Sequence, residues 1–108
     1  MKSPPMMVYA TVGSAGEAKA IARNVVTARL AACANILPGV TSIYNWQGGV
    51  QEDQETVIIL KTTLSNVPKL TDMIKDGHSY ECPCIVTIPI QNGNIDFLNW
   101  IDSETLSL

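Results

Sequence analysis

The seven residues His78-Ser79-Tyr80-Glu81-Cys82-Pro83-Cys84 hold the only histidine of the chain, a phenol, a carboxylate and two of its three cysteines. Imidazole and thiolate are the donors that zinc and copper take most readily, and a loop held by a rigid scaffold is where binding groups usually sit. A metal site on His78, Cys82 and Cys84 is therefore the first chemistry to consider. No Cys-x-x-Cys pair and no Cys/His doublet at zinc-finger spacing accompanies them, so a closed structural zinc site is not expected. The competing reading is structural. Cysteines at i and i+2 point the same way in a strand and, when buried, act as small apolar side chains, while His78 follows Gly77 where it would meet the dipole of a helix C-terminus.

Other candidates are scattered. Cys33 stands where a helical pattern meets a strand pattern and reads as packed rather than reactive. Lys61 follows four apolar residues, which favours either a desolvated amine that receives an anion or a strand-end lysine that extends its head to water. Trp46 and Trp100 suit binding platforms or subunit packing. Glu52, Asp53 and Glu55 beside a turn read as a solvated rim or as ligands for a hard cation. Enzyme templates are missing: no phosphate-binding P-loop, no paired metalloprotease histidines, no nucleophile elbow. With one histidine, a hydrolytic dyad would need His78 with one of Cys33, Cys82 or Cys84, and nothing orients it. No turnover is expected.

These groups sit on a chain of 108 residues, expected to be a single domain, 1–108. Its charged fraction of 16% is well below the roughly 25% of ordinary soluble domains, which implies surface hidden in an oligomer. A net charge of −3 without a Lys/Arg cluster excludes the electrostatic footprint of nucleic-acid binding. Residues 1–5 carry one cation and no signal-length apolar run follows, and no segment approaches a membrane span, so a cytosolic location with free thiols is expected.

The elements that must position the candidates alternate in type. Residues 6–12 form an apolar, β-branched run between Pro5 and Gly13, a buried first strand. Ser14-Ala15-Gly16-Glu17 matches a capping box, followed by Ile21, Val25, Ala28 and Ala32 at helical spacing up to Cys33. Residues 36–46 read as a strand interrupted by Pro38-Gly39, which marks a bulge or a bent edge strand. Gly48-Gly49 is the expected hairpin turn, with the return strand at 55–63; Tyr44 and Trp46 would then share a face with Asp53, Glu55 and Lys61. A second helix starts at Ser65 or Asn66 and stops at Gly77, a fourth strand covers 84–90, and a terminal helix covers 95–101. The order βαββαβ with an added C-terminal helix predicts an α+β, ferredoxin-like sandwich with two helices on one face of a four-stranded antiparallel sheet.

Several motifs in this order resemble one family. Residues 29–35 (RLAACAN), 36–44 (ILPGVTSIY), Trp46-Gln47-Gly48, Leu60-Lys61-Thr62, 78–83 (HSYECP) and 96–101 (DFLNWI) are similar to the CutA divalent-cation-tolerance proteins. The resemblance implies a ferredoxin-like homotrimer, cytosolic in bacteria, linked to copper and other divalent metals, with a site near the subunit boundaries and no established catalysis; copper or zinc is the expected ion. Its matching positions are Cys33, Trp46, Glu55, Lys61, His78, Tyr80, Glu81 and Trp100. The chain departs from the family pattern at Ser79, Cys82 and Cys84, where Pro, an aliphatic residue or Thr, and Glu are usual. Asn45, Gln47 and Gly49 replace the common Trp, Glu and Lys. A different class of function, a trimeric sensor of a small anionic metabolite, would use Lys61 as charge partner and Trp46 with Tyr80 as platform.

Overall fold

The even-numbered residues of the first strand, Met6, Val8, Ala10 and Val12, are all buried, while Met7 and Tyr9 between them are only half-buried. That period of two fixes which face of the sheet meets the helices. In the computed structural model, which describes residues 3–108, this strand is β1 (Pro5–Val12), followed by α1 (Ala15–Thr27), β2 (Cys33–Trp46), β3 (Gly49–Thr63), α2 (Val67–Gly77), β4 (Ile85–Pro89) and α3 (Ile95–Ser103). The leader reading at Met1 and Lys2 lies outside the described residues. The strands form one antiparallel sheet in the order β2-β3-β1-β4, the split βαββαβ arrangement expected, with α3 added.

Val8 and Val12 of β1, Ile58 and Leu60 of β3, Ala18, Ile21 and Val25 of α1, and Leu70 and Ile74 of α2 make one core between sheet and helices. On the opposite face of the sheet, Thr11 and Val57 are buried near the segment 78–84, and the rest is more open. Leu37, Val86 and Ile88 are exposed on it beside the half-buried Met7, Tyr9 and Ile59.

Four local expectations are corrected. The first helix stops at Thr27 rather than running to Cys33. Arg29 adopts a left-handed φ of 60°, which an α-helix cannot continue, and its guanidinium binds the Ser103 carbonyl at the end of α3 instead. Strand β2 therefore begins at Cys33, three residues earlier than expected. The hairpin turn is Gln47-Gly48, with φ of 50° and 80°, not Gly48-Gly49, and β3 starts at Gly49 rather than at 55. The pair is slid by two positions, which leaves every side chain on its expected face. Strand β4 covers Ile85–Pro89, so Cys84 precedes it. The Pro38-Gly39 interruption is a register shift between Leu37 and Val40 on an edge strand, with Gly39 at φ 73°, as the sequence predicts.

Candidate functional site

Strands β2 and β3 run well past the helices, and the segment 78–84 passes beneath this projecting hairpin on its way from α2 to β4. Between them lies a cavity of about 530 Å³ lined by Thr11 of β1, by Tyr44, Trp46, Asp53, Gln54 and Glu55 of the hairpin, and by Tyr80, Glu81, Cys82 and Cys84. Ser42 pairs with Asp53, Tyr44 with Gln51 and Val40 with Glu55, so the aromatic and acidic side chains fall on one face of the ladder. Carboxylates are the only ionisable groups of fixed charge in the lining; it holds no Lys, Arg or His.

The two hairpin carboxylates of the lining, Asp53 and Glu55, are each held by a phenol. The Tyr44 hydroxyl donates to Asp53, and the Tyr80 hydroxyl donates to Glu55 at 2.9 Å. Burial and then the Glu55 contact push the Tyr80 phenol from the ordinary 10 up to about 12, and the hydrogen bond to Asp53, followed by burial, raises that of Tyr44. Both phenols are therefore neutral donors at physiological pH. For Tyr80 the folded value lies above the unfolded one, so its stabilising contribution is complete below pH 10 and is lost as pH rises through about 12. An ultraviolet phenolate titration should show one tyrosine ionising near 12 that disappears in Tyr80→Phe and moves down in Glu55→Gln. Three tyrosines all titrating near 10 would show the contact to be absent in solution.

The cluster read from the sequence is only partly assembled. His78 is fully buried as a side chain. Its Nε2 donates to the Thr11 carbonyl at 2.7 Å, its Nδ1 accepts the Tyr80 amide at 3.0 Å, and its ring tilts against the Tyr80 ring. Both ring nitrogens are thus committed to the backbone, and the imidazole fixes the start of the 78–84 segment rather than facing the cavity. Glu17 belongs to the same support. Ser14 caps α1 by accepting the Glu17 amide, but the Glu17 carboxylate does not return to Ser14 as a capping box requires; it accepts the amide and hydroxyl of Ser79. This tie was invisible to a reading of local spacing, since the partners are 62 residues apart.

Cys82 and Cys84 are exposed and line the cavity, so the reading of them as buried apolar residues is corrected: Cys84 lies ahead of β4, not inside it. All three cysteines are free thiols. Cys33 is half-buried and pairs across the ladder with Lys61, whose amine contacts Asn35 on the open face of the sheet. Within one chain Lys61 is not brought to the Trp46/Tyr80 lining. Trp100 packs on Phe97 in α3, with ring centroids 5.4 Å apart, and is also outside the cavity. Asp53 and Glu55, read as a solvated rim or as ligands for a hard cation, both stand in the lining, and Tyr44 is an aromatic lining residue that the sequence reading left without a role, although the hairpin pattern had placed it on the right face. Among the described residues no group of three or more His, Cys, Asp or Glu side chains stands ready to enclose a metal ion.

Comparison with known proteins agrees with this architecture. Residues 6–104 match the family model described as CutA1 divalent ion tolerance protein. The divalent-cation tolerance protein CutA of Thermus thermophilus is 48% identical over 92% of this chain and 96% of its own length. Protein CutA of Homo sapiens is 45% identical over 84% of the chain, which spans about half of that longer relative, 51%. The crystal structure of CutA1 from Oryza sativa superposes over 100% of both chains with a TM-score of 0.95 at 37% identity. With the family model matched over nearly the whole length and a solved relative superposing over the full chain, the chain belongs to the CutA1 divalent ion tolerance family.

Proposed function

We propose that this protein is a cytosolic homotrimer that binds a divalent cation, zinc or copper(II), in the cavity beneath the hairpin and serves divalent-cation tolerance without turnover. The observation that carries the reading is the charge of the lining: Asp53, Glu55 and Glu81 enter it, and no basic side chain does. A low-dielectric cleft lined by one sign of charge raises the local concentration of the opposite ion. Carboxylate oxygen is a competent donor to zinc and to harder divalent ions. The donor set fits a loosely held ion, with water completing the shell, because the carboxylates are spread along the wall and no three donors converge. The anion-sensor reading lacks its charge partner, since Lys61 lies outside this lining.

The homotrimer is supported by the apolar residues exposed on the sheet face opposite α1 and α2. Leu37, Val86 and Ile88 stand on it at 44–49% exposure beside the partly covered Met7 and Tyr9, a contiguous apolar area of the kind that marks subunit contact. The free thiols of Cys33, Cys82 and Cys84 accord with a reducing compartment.

Calorimetric titration of the reduced protein tests the reading. Zinc should bind with a stoichiometry near one per chain. Asp53→Asn combined with Glu55→Gln should weaken it by roughly tenfold or more, the loss expected when groups around a metal are neutralised. Equal affinity in the double variant would remove these carboxylates from the site. Light scattering on the same samples should give three times the chain mass of 11.7 kDa, and a mass of one chain would refute the assembly.

A further inference from the structure

We infer that Cys82 and Cys84 form a second, chemically separate site in the same cavity, a two-thiolate seat for a soft monovalent d10 ion, copper(I) or silver(I). Its location rests on the cavity reading above, but its donors and its ion do not. Three observations carry it. Both thiols are exposed, both are free, and both line one wall of the cavity, ahead of β4.

The segment between them is stiff. Pro83 fixes its own φ and biases Cys82 toward extended backbone. The Thr11 amide donates to the Cys84 carbonyl at 3.3 Å, which prolongs the β1–β4 ladder by one residue. Only Pro83 separates the two thiols, and both enter the one cavity. The two sulfurs are thus presented to the same space by a segment with little freedom to separate them.

The remaining donors decide the ion. A structural zinc site needs four convergent ligands, whereas a d10 monovalent ion is satisfied by two thiolates in near-linear coordination. The third donor that the sequence offered, His78, is buried with both nitrogens bonded to the backbone. With no group of three donors poised among the described residues, the dithiol matches the two-coordinate ion and not the four-coordinate one. Tyr44, Trp46 and Tyr80 line the same cavity as the two thiols.

Binding involves no change of oxidation state. Two S–H bonds are lost, two metal–sulfur bonds form, and two protons pass to solvent. Affinity should therefore fall with decreasing pH, by up to about 100-fold per unit where both thiols are protonated.

The test uses the full chain, reduced and anaerobic, titrated with acetonitrile-stabilised copper(I) against the chromogenic chelator bicinchoninate. One copper(I) per chain is expected in the wild type and in Cys33→Ser. Affinity should fall at least about 100-fold in Cys82→Ser and in Cys84→Ser, with circular dichroism confirming that both fold and with the thiolate-to-copper charge-transfer band lost. Unchanged copper(I) affinity in the double variant Cys82→Ser/Cys84→Ser, or loss of binding in Cys33→Ser, would overturn the inference. Failure of the zinc calorimetry with copper(I) binding intact would strike the divalent reading alone; the converse would strike only this one.

Discussion

Ile58→Ala should destabilise the protein by about 2–5 kcal/mol, the usual cost of deleting a buried aliphatic side chain and leaving part of the void unfilled. Ile58 lies on β3, a strand with neighbours on both sides, paired with Ala10 on one flank and Ile36 on the other. Its side chain is completely buried and joins the cluster that ties the sheet to α1 and α2. Neither flank can shift inward without breaking a ladder, so collapse around the void is limited. Against a total stability of about 5–15 kcal/mol for a domain of ordinary size, the loss is large. Urea unfolding at fixed protein concentration measures it. A change below about 1 kcal/mol would show that the core is not packed as described.

The second large effect belongs to His78→Ala. Removing the imidazole leaves the partly buried Thr11 carbonyl without its partner, at a cost of about 1–3 kcal/mol for a stranded polar group, and frees the exposed Tyr80 amide to water. It also opens a void under a side chain that is fully enclosed. The expected loss is about 2–5 kcal/mol, with the 78–84 segment becoming the first site of proteolysis. Zinc or copper affinity should fall only as far as that segment loosens. Full stability together with abolished metal binding would make His78 a ligand and contradict its assignment to the scaffold.

The legible and illegible parts of the molecule separate along a physical line. The alternation in β1, the apolar stripe of α1 and the Pro38-Gly39 break are local patterns, and each produced the element or irregularity it implied. The facing of Tyr44 and Trp46 toward Asp53 and Glu55 was also legible, because a two-residue slide of the turn preserves facing. What the chain did not disclose is set by contacts distant in sequence. Arg29 ends its helix region in a left-handed conformation while bound to Ser103, 74 residues away, so a helical pattern running through Ala32 was not obeyed. Glu17 caps the 78–84 segment rather than its own helix, and Asn66 turns its amide to Thr63 and the Leu106 carbonyl rather than capping α2. The candidate site follows the same division. Residue types marked His78, Cys82 and Cys84 as one group, but spacing could not tell that the imidazole turns inward to Thr11 while the thiols face the cavity. Lys61 and Trp100 were grouped with that cavity by the family resemblance and lie elsewhere within a single chain.

The central claim is that the acidic cavity beneath the hairpin takes a divalent cation. Crystals of the full chain grown with zinc and measured on both sides of the zinc absorption edge test it most directly. The account predicts an anomalous peak inside the cavity, within bonding distance of a carboxylate oxygen of Asp53 or Glu55, in every subunit. Strong anomalous peaks confined to other surfaces, with Tyr44 and Tyr80 still bonded to those carboxylates, would contradict it.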